Sequence, residues 1–165
     1  MFSLKSISRE SVPRALEKAE RYRLLNEPQL SESICSDILK AEPGNEKAMV
    51  TMLLSITDQF ATSSIAEVDR AKQLISKLPG EYEKQYYEGI ICERKGHSIL
   101  IKGGYDAQIL AYDWLRDAMI HYEKAELVRP PDNDDALLRW NTCARLINHY
   151  QLEPRVEESF EPPLE

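Results

Sequence analysis

The stretch "AMIHYEKAELVRP", Ala118 to Pro130, decides the fold. Ala118, Tyr122 and Ala125 stand four and then three residues apart, which puts them on one face of a helix. Pro130 ends that helix, because proline lacks an N–H and disfavours the helical region in the residue before it. The same offsets recur upstream. "SESICSDILKAEP" gives Ser31, Cys35, Ile38 and Pro43, and "EVDRAKQLISKLP" gives Glu67 or Val68, Ala71, Leu74 and Pro79.

Each of these helices follows another. "ALEKAERYRLLNEP" offers Ala15, Ala19 and Tyr22; "AMVTMLLSITDQF" offers Met49, Met52, Leu53 and Ile56; "QYYEGIICERKG" offers Tyr86, Gly89, Cys92 and Gly96. A small residue at Ala19 or Gly89 lets two helix backbones approach closely, and Tyr22 or Cys92 three residues later fills the same seam. The repeating unit is a helical hairpin ending in proline, and the expected fold class is all-α.

With these residues the chain resembles the tetratricopeptide repeat family, in the manner of its small bacterial-type members. The family's pattern of about 34 residues places a large-x2-large-small-x2-aromatic run in the first helix and small-x3-aromatic-x2-Ala-x4-Pro in the second. Residues 118–130 match the second half at every position, residues 10–43 fit a whole repeat without gaps, and the likeness covers residues 10–149. It implies a solenoid of three hairpins, over residues 11–43, 46–79 and 81–130, with a C-terminal capping helix over 133–149. A flexible N-terminus over 1–10 precedes it, and an acidic, proline-containing tail over 151–165 is expected to be disordered.

The spacing of the prolines locates two departures. Pro43 to Pro79 is 36 residues, so "FATSSI", Phe60 to Ile65, adds two. Pro79 to Pro130 is 51 residues, one repeat plus about 17. The excess falls between His97 and Asp113, an insertion in the third repeat. Its "SILI" and "ILAYDWL" segments are too apolar to stand alone in water, and they suit two helix extensions meeting across a turn at Gly103-Gly104. A last helix, "DDALLRWNTCARLINHY", follows Pro130-Pro131, with Asp132 to Asp135 supplying its cap and N-terminal charge.

Composition narrows the function classes. The chain of 165 residues carries 21 basic and 28 acidic side chains, a net charge of −7, of which the last fifteen residues hold −4. The remainder is mildly acidic, against the concentrated basic face that nucleic-acid binding needs. No window approaches the roughly 18 apolar residues of a membrane helix, and no signal-peptide run opens the chain. Three scattered cysteines without a CxxC suit a reduced, cytoplasmic setting.

Side chains that invite chemistry have plainer readings. Cys35, Cys92 and Cys143 fall at inward positions of the pattern, where cysteine packs as a small hydrophobe. His97, His121 and His149 lack the further ligands that zinc requires near them in the chain. Lys102-Gly103-Gly104 has its lysine before the glycines and no strand beside it, unlike a phosphate-binding loop. The expectation is a non-enzymatic protein with no catalytic residue, no metal and no cofactor.

That leaves surfaces. The resemblance implies that the first helices line a concave groove, with Leu16, Glu20, Arg23 and Leu24, then Val50, Leu54 and Asp58, then Tyr86, Ile90 and Arg94 facing it, and Thr142 and Arg145 joining from the last helix. An apolar floor with sparse arginines suits a partner helix or an extended peptide. Arg23, Arg94 and Arg145 would orient acidic groups, and Leu54, Tyr86 and Ile90 would bury anchors. Family members that hold chaperone tails use a carboxylate clamp, but its positions here carry Leu16, Glu20, Thr51, Glu83 and Tyr87, so that ligand is disfavoured. The expected function is therefore a scaffold or adaptor for a protein or peptide partner. Three repeats in this length also resemble the translocator chaperones of bacterial type III secretion, although the insertion departs from them. A homodimer or partner contact through Tyr105, Ile109, Tyr112 and Trp114 is a further expectation, against packing of the insertion on its own hairpin. An enzyme using the 97–113 insertion as a lid is the remaining alternative.

Overall fold

The computed structural model describes residues 1–62 and 66–155, and within them the chain is helical throughout. Residues 63–65 of "FATSSI" and the acidic tail from 156 onward lie outside the described residues. Seven α-helices occur among the described residues: α1 (Val12–Leu24), α2 (Pro28–Ala41), α3 (Glu46–Asp58), α4 (Ala66–Ile75), α5 (Glu81–Lys102), α6 (Ala107–Leu127) and α7 (Asp135–Tyr150). A single 3₁₀ turn, Arg9–Ser11, leads into α1.

Local chemistry sets the helix ends. Pro28 occupies the first turn of α2, where its missing N–H costs no hydrogen bond. Asn45 caps α3 by accepting a hydrogen bond from the Ala48 amide at 2.9 Å. Before α7 the capping acceptor is the Asn133 side chain, whose Oδ1 takes the Asp135 amide at 2.9 Å. It also takes the Tyr82 hydroxyl at 3.2 Å, so the starts of α5 and α7 are tied together. Between α5 and α6 the chain reverses at Gly103 and Gly104, both at positive φ (68° and 124°), which glycine adopts without strain.

Packing is between neighbours in the chain. Every helix lies against the next, and in addition α1 touches α3 and α3 touches α5. The α5–α6 interface is the largest, because both helices continue through the apolar insertion. Their close approach depends on Gly89: a Cβ there would stand 2.4 Å from the Tyr122 ring. Seven residues further along both helices Gly96 lies against Leu115, so the antiparallel register is held at two points.

The core divides into three clusters. The main one joins α5, α6 and α7 around Ile90, Cys92, Leu115, Tyr122 and Cys143. A second lies between α3, α4 and α5 around Leu53, Ile56, Phe60 and Ile91. The third and smallest joins α1, α2 and the start of α3 through Val12, Ile38 and Ala48. Ile7 packs against that third cluster, ahead of the first regular turn. At the other end the core reaches one residue past Gln151: Leu152 is 5 % exposed, and its amide donates to the Ile147 carbonyl at 3.0 Å. Leu152 is buried because Gln151, in the left-handed conformation, turns the chain back over α7.

Two buried polar contacts cross helix interfaces. Ser55 donates to Ser31 at 2.9 Å between α2 and α3, and both hydroxyls are fully buried. Glu93, only 5 % exposed, accepts the Tyr122 hydroxyl at 2.6 Å and pairs with Arg139 of α7 at 3.0 Å. A buried carboxylate is tolerable only when so partnered. Burial, and after it the neighbouring Glu93, drives the Tyr122 phenol well above its ordinary value.

Candidate functional site

Helices α1, α3, α5 and α7 enclose a cavity of about 250 Å³ lined by Arg23, Leu54, Tyr86, Tyr87, Ile90, Arg94, Asp135 and Arg139. Its apolar floor comes from one face of α5, since Tyr86, Ile90 and Arg94 are four residues apart. The tyrosines stiffen that floor. Tyr86 stacks on Tyr82 with ring centroids 5.7 Å apart and meets Tyr87 edge-on at 5.2 Å.

Its arginines are already paired. Asp58, at the end of α3, forms an ion pair with Arg23, whose Nε lies 2.7 Å away and whose Nη2 donates at 3.4 Å, and it is also bonded by Arg94. Arg94 donates to Thr57 Oγ1 at 2.6 Å and to the Leu54 carbonyl at 3.2 Å, so it neutralises the negative end of the α3 dipole. Burial lowers the Arg94 guanidinium from its ordinary value, and Asp58 opposes that shift. The guanidinium stays charged at neutral pH, as arginine does in proteins. Arg139 is held by Glu93 from beneath. Three oriented guanidiniums thus surround an aromatic and aliphatic floor.

A second cavity of about 230 Å³ adjoins the first across Arg94, which lines both. Phe60, His97, Ser98 and Ile101 line it, under the extended part of α5. The two cavities form one trough interrupted by the Arg94–Asp58 pair.

Of the residues expected at the groove, the structure brings Arg23, Leu54, Tyr86, Ile90 and Arg94 together around the first cavity. Leu16 packs instead against the α1–α2 cluster, Glu20 is exposed and Val50 is half-buried, all three outside the lining. Arg145 is exposed and also outside it. The arginine that α7 contributes is Arg139, with Asp135 one turn before it. Sequence reasoning missed both, because α7 has no repeat partner to give its register; Tyr87 was placed only among the clamp positions.

The insertion is also resolved into parts. Tyr112 and Trp114 are half-buried against the main core, Ile109 is half-buried, and Tyr105 stands fully exposed at the turn. His97 is exposed beside the second cavity, and His149 is exposed with its ring edge-on to Tyr150. Lys102 is the last residue of α5, and no strand occurs among the described residues. Cys35, Cys92 and Cys143 are buried free thiols. Burial pushes Cys35 and Cys92 up to about 12 and Cys143 in the same direction, so none is a ready nucleophile. Among the described residues no helix is long and apolar enough to cross a membrane.

No protein-family model matches the chain, no curated protein matches it, and no solved structure matches it.

Proposed function

We propose that the protein is a non-enzymatic interaction scaffold of tetratricopeptide type, acting in the cytoplasm and holding a peptide or helix of a protein partner in the α1–α3–α5–α7 trough. The observation that carries this reading is the first cavity itself: Leu54, Tyr86, Tyr87 and Ile90 between three arginines that are fixed by acidic partners. Contacts of α1 with α3 and of α3 with α5 support the solenoid part of the reading, since first helices of successive hairpins would then lie side by side.

Apolar anchors of the partner would fill the space over Tyr86 and Leu54 and supply most of the affinity. The guanidinium N–H groups not used by Asp58 and Glu93 would then receive carbonyl or carboxylate oxygens of the bound segment. Because each arginine is already neutralised by a carboxylate, the trough would recognise oxygen acceptors by direction more than by net charge. Two cavities along one trough suit two anchors on an extended segment or on successive turns of a helix.

Selection of binders from a random peptide display library, followed by titration, tests the proposal. Selected peptides should lose at least about tenfold in affinity for Leu54→Asp and Arg23→Glu variants that keep the wild-type helical content, as expected when a central contact is lost. Peptides that bind these variants as tightly as the wild type would sink the groove assignment. Ile90 is unsuitable as a probe, being only 4 % exposed and part of the core.

A further inference from the structure

On the far side of α5 from the trough, three side chains of different chemistry converge. Glu88 and Cys92 stand one turn apart on α5, roughly half a turn round the helix from Tyr86 and Ile90. His121 of α6 completes the group, and one ligand atom from each lies within 4.8 Å of the others. The helix register explains the meeting. Gly89 against Tyr122 and Gly96 against Leu115 set α6 antiparallel to α5, and in that register His121 falls level with the interval between Glu88 and Cys92.

We propose that Glu88, Cys92 and His121 form a binding site for a single divalent transition-metal ion of zinc type, with three protein ligands and a fourth position open to solvent. This is independent of the trough and of the reading given to it.

The donor set fits that class of ion. Carboxylate, thiolate and imidazole are the ligands zinc takes, and three of them with one open position is the arrangement of its non-structural sites. Metal–ligand bonds of about 2.0–2.3 Å at tetrahedral angles put donors about 3.3–3.7 Å apart, so a pair at the outer limit closes by about 1 Å through side-chain rotation. Glu88 and His121 are half-buried and Cys92 is buried, which leaves entry from the solvent side and the thiol at the base.

Two further features point to an ion. His121 Nδ1 is 2.9 Å from Gln85 Oε1, and in the tautomer with the proton on Nδ1 the ring donates to that oxygen and keeps the Nε2 lone pair for an ion. An outer hydrogen bond of this kind is the usual support of a metal-bound histidine. Glu88 Oε2 is sealed from solvent and receives no hydrogen bond, with Lys72 Nζ of α4 at 3.7 Å as its nearest cation. Lys72 is 43 % exposed and free to swing outward when an ion takes its place. The surrounding field is balanced, because Asp117 and Lys124 also act on His121 from α6. Burial keeps His121 toward its neutral form, the form that ligates. Binding exchanges the Cys92 S–H bond for a metal–sulfur bond, and the proton leaves to solvent.

Titration of the reduced full-length protein with Co²⁺, followed by displacement with Zn²⁺, tests the site. One equivalent of Co²⁺ should produce a thiolate charge-transfer band and the intense visible bands of four-coordinate cobalt, and one equivalent of Zn²⁺ should erase them. His121→Gln and Glu88→Gln, both at half-buried positions, should each weaken binding by at least about 100-fold, and Gln85→Leu by about 10–100-fold. Cys92→Ala should remove the charge-transfer band, while Cys35→Ala and His97→Ala should leave the titration unchanged. Circular dichroism of each metal-free variant separates lost ligation from lost folding. Absence of a thiolate band in the wild type overturns the proposal, and so does equal affinity in folded His121→Gln and Glu88→Gln variants.

Discussion

The first and third hairpins answer the same packing problem with opposite sizes. At the closest approach of α1 the pattern places Ala19, and at the matching position of α2 it places Cys35; both are fully buried. In the third hairpin the equivalent pair is Gly89 and Tyr122, and the ring lies where a Cβ of residue 89 would otherwise be. One methyl is given up so that a phenol can enter. The exchange brings a hydroxyl into the core, and with it Glu93, whose counterpart in α1 is the half-buried Arg23 of the trough. Where the first hairpin closes on apolar contacts, the third closes on a charged network that also fastens α7.

The largest effect that separates the two hairpins should come from Glu93→Ala. It leaves Arg139 and the Tyr122 hydroxyl without their acceptor, and removal of one partner of a buried pair costs about 3 kcal/mol at the lower end of the usual range. Equilibrium urea unfolding measures it, and a loss below about 1 kcal/mol would mean the network adds little. Gly89→Ala comes next. The added carbon meets a ring that is fully buried and hydrogen-bonded, so overpacking should cost about 2 kcal/mol. Importing the first hairpin's pair, Gly89→Ala with Tyr122→Cys, should relieve the clash but not restore the lost Glu93 contact.

A third measurement looks for what the hairpins share. Burial raises the Cys35 and Cys92 thiols from 9.0 to about 12. Between those values the unfolded chain has released a proton that the folded chain keeps. Each thiol's contribution is therefore full below pH 9 and declines as pH rises toward 12, by about 1.4 kcal/mol per pH unit. Denaturant unfolding between pH 8 and pH 10.5 should show the decline, and Cys35→Ala should flatten it by one thiol's share. The smallest effect belongs to Arg23→Gln. Arg23 and Asp58 remain partly solvated, at 22 % and 24 % exposure, and such a pair contributes about 0.5 kcal/mol.

The all-helical class was legible because its signals are local. Pro43, Pro79 and Pro130 each stand just beyond the end of a helix, and small residues at fixed offsets mark the seams. Five residues of the trough were legible for the same reason, all lying on helices with a repeat partner. Arg139 and Asp135 were not, since the crossing of α7 depends on Asn133 bonding both Tyr82 and the start of its own helix. The buried Glu93 ran against the usual exposure of glutamate; its signal was a tyrosine set opposite a glycine, which only the hairpin register exposes. That register also brings Cys92 to His121, 29 residues along the chain, which no local spacing signals.

Packing between chain neighbours has a kinetic consequence. With the main contacts of the described residues between adjacent helices and the next but one, little loop entropy is lost before favourable contacts form, which favours rapid folding. The same locality means that it need not open all at once. The α1–α2 cluster is the smallest and meets the remainder mainly through α3, with the Glu32–Arg70 pair reaching α4, so spontaneous opening should begin at that end and spread toward the Gly89–Tyr122 seam. Arg23 moves with the first part to open, Tyr86 and Arg139 with the last. The trough would then lose one wall long before its floor, and its breathing, rather than its average shape, would set how large a segment can enter.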